Sequence, residues 1–316
     1  MPELDTLGEQ QLLNGGRVIE MVNISMKEVL LSNGETLVYR EREGGEIKVL
    51  LIHGNMTSSK HWDLVLDNMD AKYKLFAVDL RGFGGSSYNN LIMSIKDFSD
   101  DVKLFVDEIG LKDFAVVGWS TGGAVAMQFA ADYPGYCNKL VLLASESTRG
   151  YPFDGKINEN DEPRRFALHE EIKSDLVRTH PVQRAYDTND TALLKLIWNA
   201  VIYTHNQPAL VLYDEYVQDM RTQRNLAEVH HANNTFNISR HDNGLVAGNG
   251  KVDVIDVPVL VLQGDRDMVI TKEMTKELLE DLGEKAVFTE LKNCGHSPLV
   301  DDLPQLLNAM TQFLED

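Results

Sequence analysis

Residues 114–123 read Phe114-Ala115-Val116-Val117-Gly118-Trp119-Ser120-Thr121-Gly122-Gly123 and run straight into Ala124-Val125-Ala126-Met127. Four apolar residues without polar alternation predict a strand buried on both faces, as in a parallel sheet. The stretch from Ala124 to Tyr133 is rich in helix formers and stops before Pro134-Gly135, so it predicts a helix. The glycines between let a strand turn sharply into that helix. On such a turn Ser120 is expected to be a nucleophile, in strained backbone with its hydroxyl exposed. The backbone N–H of Thr121 opens the helix and is expected to meet a developing oxyanion.

Outward from this turn, similar apolar runs recur. Ile47 to Ile52 ends in His53-Gly54, and Leu75 to Val78 ends in Asp79. Leu140 to Leu143 and Val259 to Leu262 follow the same pattern. Upstream, residues 28–31 and 36–42 flank Ser32-Asn33-Gly34-Glu35, a hairpin signal. Between the runs, Phe98, Val102, Phe105, Val106 and Ile109 fall at helical spacing behind Ser94 as N-cap. Leu303, Leu306, Leu307, Met310 and Phe313 predict a final amphipathic helix. The fold class is therefore α/β, with a mostly parallel central sheet flanked by helices.

One stretch breaks this rhythm. Residues 146–250 hold no buried-strand run, but residues 192–203 and 210–220 have helical patterns. They predict an inserted helical cap above the crevice at the strand C-terminal ends. The expected division is an N-terminal extension over 1–25, a core of 26–145 and 251–316, and the cap of 146–250. Trp198, Tyr203, Tyr213 and Tyr216 read as cap core, and His230-His231 as part of a polar loop rather than a metal site.

The 316 residues carry 30 Lys and Arg against 49 Asp and Glu, a net charge of −19. That charge opposes binding to nucleic-acid phosphates or to anionic lipid. Cys137 and Cys294 are too few for a disulfide framework or a four-cysteine zinc site. No apolar run reaches the ~18 residues of a membrane span. Met1-Pro2-Glu3-Leu4-Asp5 lacks a basic segment followed by an apolar one, so the expected compartment is the cytoplasm.

A serine nucleophile needs a base, and a base needs a carboxylate to fix its tautomer. Asn293-Cys294-Gly295-His296-Ser297-Pro298 offers His296 between the strand of residues 286–291 and the final helix. Gly264-Asp265-Arg266-Asp267 follows a strand, and Asp267, further into the loop, is preferred. Asp265 is the rival, and Glu146, just past another strand, is a third option. The second oxyanion donor is expected from Asn55, with Met56 as the alternative.

With these residues in order, the sequence resembles the α/β-hydrolase superfamily, with a serine nucleophile and a helical cap as in its esterase- and lactonase-like members. His53-Gly54-Asn55 resembles its oxyanion strand end, and Asp79-Leu80-Arg81-Gly82-Phe83-Gly84-Gly85-Ser86 its glycine-rich turn. Residues 118–122 resemble its nucleophile elbow, 264–267 its acid loop and 295–298 its histidine loop. The resemblance implies an α/β-hydrolase fold and a triad of Ser120, Asp267 and His296. Residues 53–59 are also similar to haloalkane dehalogenases, in which an asparagine at this place and a tryptophan after the nucleophile hold the halide, whereas here Thr121 follows Ser120. Trp119 of the elbow and Met56 of the loop after His53-Gly54 are expected in the substrate pocket. Those enzymes use an aspartate nucleophile, however, and a serine alkyl ether could not be released by water. The elbow is also close to those of perhydrolase relatives, which implies perhydrolysis as a side activity.

The expected function is hydrolysis of a small carboxylic ester, lactone or thioester through an acyl-enzyme, with no cofactor and no metal. The alternatives are a carbon–carbon bond hydrolase of a diketone-like substrate and a low-turnover binding protein or receptor. The expected partner is a small-molecule substrate, not nucleic acid or membrane, and the sequence leaves a homodimer open.

Overall fold

The computed structural model describes residues 23–156 and 162–316, together with a two-residue ladder that pairs Leu13–Asn14 with Arg17–Val18. The rest of the expected N-terminal extension lies outside the described residues.

Eight strands build one sheet: β1 (Ile24–Leu30), β2 (Thr36–Arg42), β3 (Ile47–Ile52), β4 (Tyr73–Val78), β5 (Phe114–Trp119), β6 (Cys137–Leu143), β7 (Val259–Gly264) and β8 (Ala286–Leu291). Their spatial order is β8-β7-β6-β5-β3-β4-β2-β1. β1 pairs antiparallel with β2, β2 antiparallel with β4, and every other pairing is parallel. The hairpin falls where Asn33-Gly34 predicts it, closed by Leu31 N–H donating to the Glu35 carbonyl at 2.7 Å, with Gly34 at φ 86°. β1 begins at Ile24, earlier than expected, because this edge strand pairs with the whole of β2 from Ile24–Arg42 to Leu30–Thr36. Its apolar residues do not fall on one buried face, since Met26 and Leu30 are exposed beside Lys27 and Glu28.

In the core the helices α1 (Asp63–Asn68), α2 (Ile95–Glu108) and α3 (Thr121–Asp132) follow β3, β4 and β5. Among the described residues, five α-helices lie between β6 and β7: α4 (His169–Lys173), α5 (Thr179–Thr188), α6 (Thr191–Val201), α7 (Leu210–Met220) and α8 (Leu226–Thr235). α9 (Lys272–Leu282), α10 (Pro298–Asp301) and α11 (Leu303–Glu315) complete the set. Leu50, Ile52, Val116 and Leu142 face one apolar layer with Phe98 and Phe105 of α2, Phe129 of α3 and Leu278 of α9. Val49, Leu51, Val117 and Leu143 face the other, with Val65 of α1 and Leu306 and Met310 of α11. Layers on both faces explain why the central strands read as unbroken apolar runs.

Trp198, Tyr203, Tyr213 and Tyr216 are all buried and join the second layer. His230 and His231 lie on α8, not in a polar loop. The sequence of α8 hides this because its buried positions include Asn233 and Asn234 beside Val229 and Ala232, so the apolar stripe is thin.

The register puts Ile52 beside Gly118, Gly118 beside Leu142, and Leu143 beside Leu262. The loops after β3, β5, β6 and β7 therefore start along one edge of the sheet, where ligands of parallel α/β sheets bind. The elbow closes tightly there. A Cβ on Gly122 would lie 2.3 Å from the Ile52 carbonyl oxygen and 2.5 Å from that of His53. Both are backbone atoms that cannot swing aside. Gly122→Ala is expected to push α3 off β3 and cost about 2–3 kcal/mol, read as a lowered Tm or a failure to accumulate. An unchanged Tm would show that the elbow has slack.

Candidate active site

Ser120 sits between β5 and α3 at φ 56° and ψ −122°, outside the regions that L-residues ordinarily occupy. Its N–H donates to the Leu143 carbonyl at 3.0 Å, and its own carbonyl accepts from Gly123 N–H at 2.8 Å. Met56, Ala144 and Asn293 also have positive φ, in the loops after β3, β6 and β8.

The loop after β3 lies against the serine. A Cβ on Gly54 would stand 3.0 Å from Ser120 Cβ and 3.6 Å from Ser120 Oγ. His53 anchors this loop. Its Nε2 accepts from Leu80 N–H at 3.0 Å, so the proton is on Nδ1, which donates to the Gly54 carbonyl at 2.8 Å. Thr57 Oγ1 donates to the same carbonyl at 2.8 Å. Burial lowers the His53 pKa to about 4, which keeps the ring neutral in this role. Asn55 Oδ1 accepts from Met56 N–H at 3.0 Å and from Gln223 Nε2 at 2.8 Å. The Met56 N–H is thereby engaged, whereas among the described residues no acceptor takes the backbone N–H of Asn55 or of Thr121.

His296 and Asp267 are in contact. His296 Nδ1 lies 3.0 Å from Asp267 Oδ2 and 3.2 Å from Oδ1, and the carboxylate is fully buried. Asp267 Oδ1 also accepts from Val269 N–H at 2.8 Å and Ile270 N–H at 3.0 Å, which fixes its plane. With Nδ1–H donated to the carboxylate, His296 Nε2 is the basic nitrogen. Asp265 does not touch the ring, and its Oδ1 has no partner among the described residues. Glu146 is engaged elsewhere: Thr121 Oγ1 donates to its Oε1 at 2.8 Å, and Asn233 Nδ2 donates to Thr121 Oγ1 at 2.8 Å. Burial raises the Glu146 pKa to about 8, against the smaller opposing effect of the Thr121 hydrogen bond. Its carboxyl is therefore neutral at pH 7.

A cavity of about 360 Å³ joins Asn55, Met56, Ser120, Thr121, Glu146 and His296 to residues of the insertion, among them Arg178, Trp198, His230 and Asn233. Met56 is on its wall. Trp119 is not. It lies two residues beyond Val117 on the same strand face and joins that residue's apolar layer. There its indole N–H donates to the His296 carbonyl at 2.9 Å, so it props the histidine loop from behind the pocket.

A family model described as alpha/beta hydrolase fold matches residues 48–303. The chain belongs to the alpha/beta hydrolase fold family. Its class is that of a hydrolase. It is similar to the AB hydrolase superfamily protein YisY of Bacillus subtilis, with 21% identity over 84% of this chain and 90% of that one. It is also similar to the dihydrolipoyllysine-residue acetyltransferase component of the acetoin cleaving system of Cupriavidus necator, with 36% identity over 35% of this chain. That match spans only 30% of the relative's length. Among solved structures, an esterase from Exiguobacterium antarcticum superposes with a TM-score of 0.70 at 13% identity, covering 92% of this chain and 99% of that one. No helix among the described residues of this hydrolase is long and apolar enough to cross a membrane.

Sequence reasoning missed the part of the pocket that the insertion supplies. His230 and Asn233 are three residues apart on α8 and so share a face, the one local signal that could have paired them. Arg178, just ahead of α5, carries no signal at all in this hydrolase's sequence.

Proposed function

We propose that this hydrolase cleaves a small carboxylic ester, lactone or thioester through an acyl-enzyme on Ser120. One observation carries the reading. Ser120, in strained backbone beside two unengaged N–H groups, shares a cavity with a histidine whose other nitrogen is held by a buried carboxylate. Ser120 Oγ attacks the carbonyl carbon as His296 Nε2 takes its proton. The carbonyl oxygen becomes an oxyanion held by the N–H groups of Asn55 and Thr121. Asp267 stabilises the imidazolium, which then returns the proton to the leaving alcohol or thiol as its bond to carbon breaks. Water, deprotonated by His296, attacks the acyl carbon and frees Ser120. Residues 146–250 act as the cap, and Met56, Val182, Ile197, Val201, Met268 and Val269 offer an apolar bed for a short chain.

The test is a substrate panel with active-site labelling. It combines p-nitrophenyl esters of rising chain length, simple and acyl-homoserine lactones, acyl-thioesters and a vinylogous diketone with a fluorophosphonate probe. The expected result is turnover of one carboxylic class and stoichiometric labelling at Ser120. Cleavage of the diketone alone would move the reaction to a carbon–carbon bond. Labelling without any turnover would make the site a binding one.

A further inference from the structure

The cap wall of the cavity has a charge that the reaction above does not use. Arg178 immediately precedes α5 and lines the cavity. Its guanidinium lies over the Phe153 ring, 3.5 Å from the centroid, and one N–H donates to the Asp154 carbonyl. Stacking and this hydrogen bond fix the plane of the group and leave further donors unspent. Among the described residues no carboxylate lies within ion-pair distance of it. The nearest candidate in sequence, Asp175, spends Oδ2 on the backbone N–H groups of Arg178 and Thr179, at 2.6 and 3.3 Å. An arginine facing a cavity with no ion-pair partner among the described residues is unexpected in a chain of net charge −19.

The rest of the lining does not cancel this charge. Glu146 is the carboxyl residue of the wall, and burial keeps it neutral at pH 7. His230, packed 4.9 Å from Phe153, is held neutral by burial and by the neighbouring Arg178 charge. The wall therefore presents one positive charge beside an apolar bed and a serine.

We propose that Arg178 selects substrates carrying a free carboxylate on the chain remote from the scissile bond, such as a monoester of a short dicarboxylic acid. A guanidinium fixed in plane can offer a carboxylate two parallel N–H donors, a geometry that a neutral end group does not match. This rests on the ester-hydrolase reading and adds the substrate class to it. The elbow itself has no cation, so the carboxylate belongs at the cap wall and not beside the reacting carbonyl.

Methanol release from the monomethyl esters of succinate, glutarate and adipate tests this, each compared with the ester whose free acid is replaced by the uncharged amide. The expected kcat/KM ratio of acid to amide is about tenfold for the best-fitting length, falling as salt is raised. The ratio should collapse towards one in Arg178→Gln and be partly kept in Arg178→Lys, with Tm checking that each variant folds. An amide ester turned over as well as its acid by the wild type, or a preference that survives Arg178→Gln, would overturn the proposal. Calorimetric binding of the same pairs to Ser120→Ala, with and without Arg178→Gln, reads Arg178 independently of catalysis. If no ester is turned over but the acid still binds better through Arg178, the hydrolytic reading fails and the carboxylate site stands. If the amide esters are turned over without any acid preference, the reverse holds.

Discussion

Ser120→Ala is expected to lower kcat for the preferred ester by roughly 10⁵-fold while the far-ultraviolet circular dichroism and Tm stay close to wild type. The alanine keeps the backbone of the elbow and the N–H groups of Asn55 and Thr121, so the residual rate measures binding and oxyanion stabilisation alone. Ser120 is only partly exposed, and no side chain takes its hydroxyl among the described residues, so little packing is lost. Asp267→Asn should cost roughly 10³–10⁴-fold by a different route. Its carbonyl oxygen can still accept from Val269 and Ile270 N–H, so the loop should hold. Its amide would then face His296 Nδ1 and force the ring proton onto Nε2, leaving no base for the serine. Full activity in Ser120→Ala would remove the acyl-enzyme. Full activity in Asp267→Asn would leave His296 without need of its carboxylate.

The second large effect concerns stability. Glu146 is neutral in the fold with a pKa near 8 but ordinary in the unfolded chain, near 4.5. Between those values the folded state holds a proton that the unfolded state has released. Its contribution is fully present below about pH 4.5 and is lost as pH rises towards 8. Glu146→Gln keeps an acceptor for Thr121 Oγ1 and cannot ionise. Relative to that variant, the wild type should lose about 3–5 kcal/mol between pH 4.5 and 8 and then level off. Urea midpoints for both proteins across this range give the difference directly. A difference that does not change with pH would mean that Glu146 is ionised in the fold. The buried histidines act in the opposite sense. His53 and His230, lowered to about 4 and about 3, contribute stability above their unfolded value that is lost as pH falls through the folded ones. Both variants share that acid limb, so it cancels in the comparison.

The same buried carboxyl tests the local network. The Thr121 hydroxyl is held between Asn233 and Glu146, while no acceptor takes its backbone N–H among the described residues. Glu146 Oε2 and Asn233 Oδ1 have no partner in the chain among the described residues. This polar corner joins β6, α3 and α8 directly beside the serine.

Local pattern was enough for the sheet, the strand-to-helix elbow and the two loops in which His296 meets Asp267. Ser120 is marked by glycines at 118, 122 and 123, and their positions follow from short-range sterics that any strand-to-helix turn must obey. His296 and Asp267 each follow a strand that reads as such, and aligned parallel strands deliver their loops to one edge. Local pattern failed where a side chain's direction or partner was needed. Trp119 adjoins the nucleophile in sequence, yet strand alternation turns it to the face behind His296. The thin apolar stripe of α8 concealed a helix that brings His230 and Asn233 to the pocket.

By itself, then, the sequence determined the α/β architecture, the strained turn at Ser120 and the loops that carry Asp267 and His296, because each depends on interactions within a few residues. Only the tertiary structure decided what lines the pocket. Asn233 reaches Thr121 across 112 positions of chain, and Arg178 joins Ser120 in one cavity only once the insertion has packed against the sheet edge. Burial in that packing, rather than residue type, is what holds Glu146 and His230 neutral and leaves Arg178 the charge on the wall.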